Sequence, residues 1–408
     1  MVRTSINYKK IILFLIASRL ATYSMSGQTE IVSLKLEDAG KKIENTILME
    51  MSSSEYEALH ATPGSKRNIR VKKLIINRDS IVPEKVTTRG QSTLQFQRKS
   101  LGFRLNSVAT FSHGDRSMKS KKFSILNLAM DKYYTHNRLA FGLMEETGIF
   151  NLFYSFCELR INGRSEGIYM IIEKPEDWAR NMKSSPLVIR RGYDHKIDKL
   201  ATDSKCDKAE IKKYLDYYKQ IYKSLNKYEG EELYKKLSEY IDMNFYMKWL
   251  AFNFLVRNGD YSDEVFFYID PEIKKFRIVP WDYDDIFSIQ PHEGKVESKK
   301  IIGDKLLFSS EDMLDKKIAS DSFLYHVYLG KMKEVLEALP AENIKDVYED
   351  VYSELFPYYS REEIIKNSQY DLFKDASTEN LKSYLINSYF GLSSVRSMYL
   401  KELDNIIK

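Results

Sequence analysis

The stretch from Ala251 to Phe287, AFNFLVRNGDYSDEVFFYIDPEIKKFRIVPWDYDDIF, limits the folds open to this chain more than any other. It reads as the end of a helix, a polar turn, and two short strands, Val265 to Ile269 and Phe276 to Val279, joined across Asp270-Pro271-Glu272. Both strands are rich in β-branched and aromatic residues with a Pro-containing turn between them, which predicts a hairpin. A hairpin brings its outer ends together, so Asp260, Asp263 and Glu264 at one end are expected beside Asp282, Asp284 and Asp285 at the other. Like charges persist in one site only when a cation neutralises them or one of them keeps its proton. A hard divalent ion such as Mg²⁺, which takes oxygen ligands and bridges to substrate phosphates, is the simplest resolution. The bland alternative is a solvated loop at Trp281-Asp-Tyr-Asp-Asp that caps the next helix; the apolar and aromatic residues flanking the acids on both sides argue against it.

At 408 residues, 43% hydrophobic and 13% aromatic, the chain has enough apolar side chains for one large or two modest cores, and disorder is excluded. The formal charge is +5, but Arg3, Lys9, Lys10 and Arg19 supply four of those charges within the first 26 residues, which contain no acid. The remainder is near +1, so there is no net electrostatic case for nucleic acid. That first segment has a basic start, an apolar run Ile11 to Ala17, and small residues Ser24 and Ser26 before Gly27, the pattern of a secretory signal peptide over 1–26. The run is too short to span a bilayer, so no stable membrane span is expected. Export to the periplasm, cell surface or medium follows if the signal functions, and a cytoplasmic location if it does not. Only two cysteines exist; Cys157 shares a strand face with Leu159 and Ile161, Cys206 lies in a polar stretch, and neither has the spacing of a zinc site.

From about Ile31 to Leu105 the pattern is strand-like, with short apolar or alternating runs broken by Pro63-Gly64, Asn77-Arg-Asp and Pro83. Phe123 to Leu128 reads as another strand. Thr135 to Glu146 has helical spacing, with Leu139, Leu143 and Met144 on one side and Gly148 as its C-cap. Phe156 to Ile161 and Gly167 to Ile172 form a hairpin about Asn162-Gly163. These elements give an N-lobe over 27–175 and an inter-lobe crossing over 176–206 that contains a strand at Leu187. Residues 207–408 read as a helical C-lobe carrying the acidic hairpin. Its helices are expected at Ala209 to Tyr228, Glu231 to Tyr240, from Asp242 to the hairpin, and at Leu324 to Leu339, Ile344 to Phe356, Arg361 to Ser368, Thr378 to Tyr389 and Ser393 to Ile407. Gln290 to Lys300 is expected to be a loop. The fold class is α+β, in two lobes.

That order, with acids on a hairpin at the base of a cleft, is how protein-kinase-type enzymes arrange phosphoryl transfer. The residues carry a more particular resemblance. Arg89-Gly-Gln-Ser-Thr followed by Arg98-Lys99-Ser100, the pair Glu158-Leu-Arg-Ile-Asn-Gly and Glu166-Gly-Ile-Tyr leading to Glu173-Lys174, then Asn258-Gly-Asp260, and finally Val279-Pro-Trp-Asp-Tyr-Asp, resemble the successive signatures of the CotH family, kinase-like proteins named for spore coat protein H. The resemblance covers roughly residues 45 to 290 in consistent order, and the C-terminal helices more loosely.

The resemblance implies an atypical protein-kinase-like two-lobe fold that binds ATP with Mg²⁺ or Mn²⁺ and phosphorylates protein side-chain hydroxyls. By it, Asp260 is the catalytic acid, Asp282 a metal ligand with Asp284 beside it, and Lys99 reaches the nucleotide phosphates with Arg138 in support. Glu173 falls on the adenine side by position. Family members usually carry Asn four or five residues after the catalytic acid, to hold a metal; here Glu264 and Val265 stand there, and Glu264 can supply an oxygen ligand. The Gly-rich phosphate loop of protein kinases is absent from the sequence. Three readings follow. The first is an exported phosphotransferase acting on an envelope or secreted protein. The second is a catalytically weak or inactive scaffold of the envelope or coat, motivated by Glu264 and Val265. The third is a metal-dependent hydrolase, since paired acids with an ion also activate water.

Overall fold

The computed structural model describes residues 32–38, 42–90, 92–150, 152–181, 183–192, 195–289, 312–368 and 376–406. The signal-peptide segment and the loop at Gln290 to Lys300 lie outside them. Strands dominate the first half: β1 (Thr46–Glu50), β2 (Asn68–Ile69), β3 (Lys73–Ile76), β4 (Asp79–Ile81), β5 (Pro83–Arg89), β6 (Ser100–His113), β7 (Arg116–Leu126), β8 (Tyr154–Ile161) and β9 (Arg164–Ile172), with α1 (Ser53–His60), α2 (His136–Glu146) and α3 (Pro175–Asn181) among them. The strands form one sheet in the order β2-β5-β6-β7-β9-β8-β1-β3-β4. A second sheet contains β10 (Leu187–Arg191), β11 (Ile197–Thr202), β12 (Val265–Asp270) and β13 (Lys275–Pro280), in the order β11-β10-β12-β13. The helices α4 (Lys208–Ser224), α5 (Gly230–Leu237), α6 (Met243–Val256), α7 (Met313–Ser320), α8 (Ser322–Ala338), α9 (Ala341–Tyr359), α10 (Glu362–Ser368) and α11 (Thr378–Ile406) complete the chain.

The expected α+β class, sheet-rich first and helical second, is what the structure has. Both hairpins form as read. In the first, Asn162 and Gly163 both take positive φ, 50° and 81°, the requirement of a tight turn between right-twisted strands. In the second, β12 and β13 pair from Val265 with Pro280 to Asp270 with Lys275. Other elements differ from expectation. Ser53–His60 is helical within the strand-like region because Ser52 caps it, its hydroxyl accepting from Glu55 N at 3.2 Å. The strand at Phe123 is the end of β7, which pairs with β6 as far as His113 with Arg116. The two helices expected at the C-terminus are the single α11. The crossing supplies β10 and β11, so the hairpin at β12 and β13 is half of a four-stranded sheet.

The N-terminal sheet is apolar on both faces where it matters. Tyr169 and Ile171 of β9 join a core with Phe103, Phe123 and Leu159, whereas Ile168, Met170 and Ile172 join the larger core that continues through α2, the second sheet and the C-terminal helices. A strand buried on both faces reads as an unbroken apolar run, as β9 does. The sheet is thereby welded to the helical half along β8, β9 and α2.

The N-terminal end of α2 is also what holds the acidic turn. Asp131, just before it, accepts from the backbone N–H of His136 at 2.7 Å and of Asn137 at 2.8 Å, and from Asn137 Nδ2 at 3.0 Å. Asn137 then uses its Oδ1 to accept from Tyr283 N at 2.8 Å, between Asp282 and Asp284. His136 Nδ1–H donates to the carbonyl of Asp284 at 2.7 Å, and its Nε2 accepts from the hydroxyl of Tyr384 on α11. A neutral ring with its proton on Nδ1 suits both contacts. Burial agrees, pushing the imidazole from its ordinary 6.5 down to about 4. Below about 6.5 the unfolded chain takes up a proton that the folded one refuses until about 4, so this contribution is complete above 6.5 and lost as pH falls. Urea denaturation is expected to show about 2 kcal/mol less stability at pH 5 than at pH 7.5 from this residue alone. His136→Gln should flatten the wild-type slope by that amount; equal slopes would exclude a buried neutral histidine.

Candidate functional site

The two acidic turns meet because the chain closes on them from three directions. α6 ends at Arg257 in the left-handed region, φ 51°, and turns into Asn258-Gly259-Asp260. Asn258 is fully buried; its Nδ2 donates to Asn253 Oδ1 at 3.1 Å while its Oδ1 accepts from Asp260 N at 3.1 Å, fixing the loop to the helix it leaves. Across the hairpin mouth, Gly259 N donates to Asp285 O at 3.0 Å and Trp281 N to Glu264 O at 3.1 Å. Asp282, the first residue after β13 and Trp281, sits at φ 51°, a backbone that Asp tolerates better than most residues. Tyr283 between the acids is buried, its hydroxyl accepting from Trp249 Nε1 at 3.0 Å.

The electrostatics record the crowding. Burial first, and then Asp282, Asp131 and Asp260, hold the Asp284 carboxyl well above the usual range. Glu264 is raised in the same way, by burial and then by Asp282. Asp282 is raised by burial, against the pull of Arg190 and Arg89, and Asp263 is raised by burial against Arg190. Asp131, which the sequence reading passed over, is raised to about 7 by burial, Asp282 adding to it, despite its three N–H donors. Asp285 is set apart: Ser288 Oγ lies 2.8 Å from both of its carboxylate oxygens. The oxygens Asp263 Oδ1 and Glu264 Oε2 are buried without a hydrogen-bond partner. Among the described residues no three acids, histidines or cysteines converge as a ready ligand set. The arrangement suits an ion that takes one or two carboxylates and completes its shell elsewhere, as Mg²⁺ does.

The cations are not the expected ones. Lys99 is buried against its own turn, its Nζ donating to Leu94 O at 2.9 Å and to Phe96 O, and burial lowers its pKa. Arg138 points away from the acids into a bidentate pair with Glu354 of α9, at 2.9 Å and 2.8 Å. Burial disfavours each charge of that pair, but their mutual attraction wins, raising the arginine and lowering the glutamate. Arg138 and Glu354 line a cavity of about 680 Å³ between the tip of β6 and β7, α2, β8 and α9, and not the acidic turns. Neither Lys99 nor Arg138, the two cations expected at the nucleotide phosphates, has a hydrogen bond to the acidic turns: Lys99 bonds Leu94 and Phe96, and Arg138 bonds Glu354. Glu173 directly follows β9, its carboxyl raised to about 7 by burial.

Arg89 stands where Lys99 was expected. It ends β5, lies over the Trp281 ring at 5.8 Å, and feels Glu176, Asp282 and Glu264; burial lowers its pKa nonetheless, and its Nη1 has no hydrogen-bond partner. Gly90, at φ 96°, turns the chain immediately behind it, where a Cβ would fall 1.9 Å from Thr93 Oγ1. Lys174 approaches from the end of β9, its Nζ 3.9 Å from where a Cβ on Gly102 would be. The small residues Thr87, Gly102 and Ser124 stand in register across β5, β6 and β7, with Ile172 of β9 next in line. The sequence held the signal: Arg89 opens the first quoted signature and Lys174 closes the second, each at a strand end.

The CotH kinase protein family matches residues 86–388. The inner spore coat protein H of Bacillus subtilis (strain 168) is 19% identical over 340 residues, 79% of this chain and 87% of that protein. A solved complex of Shewanella oneidensis MR-1 HipA, HipB and operator DNA aligns with TM-score 0.36 at 12% identity over 76% of this chain and 65% of that chain, too loose a likeness to carry an argument. With residues 86–388 matched, most of its length, this chain belongs to the CotH kinase family.

Proposed function

We propose that this protein transfers phosphate from ATP, with Mg²⁺ or Mn²⁺, to hydroxyl groups of a protein partner. The single observation that carries the reading is the meeting of Asp260, Glu264, Asp282 and Asp284 under a sheet face that presents Arg89 and Lys174. Phosphoryl transfer needs little covalent chemistry from the protein; positioning and charge stabilisation do most of the work. Asp260 is the base that orients a substrate hydroxyl and accepts its proton. Asp282 and Glu264 hold the divalent ion, with Asp284 behind them. Arg89 and Lys174 replace Lys99 and Arg138 as the phosphate contacts, and Glu173 lies on the side of the base. A bound ion supplies charge neutralisation at the transferring phosphate. The likeness to the inner spore coat protein of Bacillus subtilis supports a coat or surface location and a coat or envelope protein as partner. No helix of the described residues is long and apolar enough to cross a membrane, in keeping with a peripheral site of action.

A second reading is a scaffold that keeps the fold and transfers phosphate poorly. The Glu264 contact with Arg190, 2.5 Å, favours it, because it engages one oxygen of a proposed metal ligand.

Thermal shift with ATP and Mn²⁺ separates these readings first. Ligand that binds only the folded state raises its melting temperature by mass action, so the wild type should shift and Asp282→Ala should not. Arg89→Met should lose most of the shift, whereas Arg138→Met should lower the baseline melting temperature and keep it; the reverse pattern would restore the original assignment. In a transfer assay with an envelope or coat extract, Asp260→Asn should cut the rate by about 10²-fold or more while leaving nucleotide binding intact. Equal rates for Asp260→Asn and wild type would discard it as the base, and transfer by neither would favour the scaffold.

A further inference from the structure

Resting on the nucleotide and metal reading above, one departure from the family pattern acquires a physical explanation. Of the two residues four and five positions after Asp260, Val265 is fully buried in β12, and Glu264 is the one that feels Asp282, Asp263 and Asp260. Its two oxygens have different surroundings. Oε1 accepts from Arg190 Nη2 at 2.5 Å, whereas Oε2 is buried and has no hydrogen-bond partner in the protein. Arg190 is itself fixed. Its Nε donates to Asp263 O at 3.2 Å, its Nη1 lies 3.6 Å from Asp198 on β11, and its strand β10 pairs with β12 so that Arg190 faces Phe266.

An asparagine offers a hard cation one carbonyl oxygen and no net charge. A carboxylate with one oxygen locked to a guanidinium offers nearly the same: one free oxygen, on a pair whose charges cancel. A bare glutamate would offer two oxygens and an extra negative charge beside Asp282 and Asp263, both raised by burial already. Ligating carboxylates are commonly oriented by such outer partners. We propose that Arg190 is a positioning residue that makes Glu264 a one-oxygen, charge-compensated ligand, so that the Arg190–Glu264 pair does the work of a neutral amide ligand. Glu264 is then an alternative solution to metal binding and not a mark of lost activity.

Isothermal titration of Mn²⁺ with a non-hydrolysable ATP analogue into the full chain tests the pair as a double-mutant cycle. Arg190→Met leaves an uncompensated carboxylate, and Glu264→Asn an uncompensated guanidinium; each should weaken binding about tenfold. Arg190→Met with Glu264→Asn should return to within about threefold of wild type, where independent effects would multiply to about a hundredfold. A merely structural arginine would not be rescued by changing a carboxylate to an amide. Additive losses, or an unchanged affinity in Arg190→Met, would overturn the pairing. Should Arg190→Met fail to melt cooperatively, Glu264→Gln decides: about tenfold weaker binding supports the pair and unchanged binding rejects it. A wild type with no Mn²⁺-dependent nucleotide binding would overturn the nucleotide reading itself, an outcome distinct from additivity in a wild type that binds.

Discussion

Everything at the acidic turn depends on its attachment to the N-terminal end of α2. Five carboxylates around one hairpin mouth repel one another, and burial sharpens that repulsion by removing water. Backbone hydrogen bonds oppose it. Asn137 takes the N–H between Asp282 and Asp284, His136 donates to the carbonyl of Asp284, and Asp131 ties both residues to the helix start. None of these bonds uses a carboxylate oxygen of Asp282 or Asp284. Tyr384 on α11 closes the chain of contacts onto His136, which links the C-terminal helix to the turn.

The loop on the other side of the cleft is held with equal economy. Arg190 and Arg191, adjacent on β10, point to opposite faces of the second sheet, and each donates to a backbone carbonyl of the loop, at Asp263 and Ser262. Arg191 is fully buried beneath, bonded to Tyr246 at 2.6 Å and paired with Asp312 and Asp315. A buried ion pair is weak evidence for net stability, since desolvation opposes the attraction, but losing one partner is costly because the other charge stays buried. The pair therefore fixes geometry more than it adds stability. Arg138 and Glu354 do the same between α2 and α9, a planar fork on a carboxylate with both nitrogens in reach.

An arginine or lysine near a functional motif can be a ligand or a strut, and burial alone does not separate the two. Partners do. Arg138 has a carboxylate in bidentate contact and Lys99 has two carbonyls, so both are engaged inside the fold. Arg89 retains a buried nitrogen with no hydrogen-bond partner and faces the acids across the cleft. A group left in that state costs folding free energy, and such costs concentrate where a ligand completes the site.

The sequence by itself determined the α+β class, both hairpins, the convergence of Asp260 and Glu264 with Asp282 and Asp284, and the family. Each of these follows from local information: β-branched runs bounded by turn residues, an Asn-Gly pair, and acids at fixed distances from strand ends. Which cations meet the acids was decided by the tertiary structure alone. Lys99 and Arg89 are both basic residues beside strands of one sheet, and only the tertiary structure sets Arg89 over the Trp281 ring near Asp282 and Glu264 while Lys99 folds back on its turn. Asp131 and Asn137 were equally hidden, because their partners lie at Tyr283, far along the chain. The compensation of Glu264 by Arg190 also needed the pairing of β10 with β12. Strand order within a sheet is set by which apolar faces can be buried together, a property of the whole chain that no local window contains.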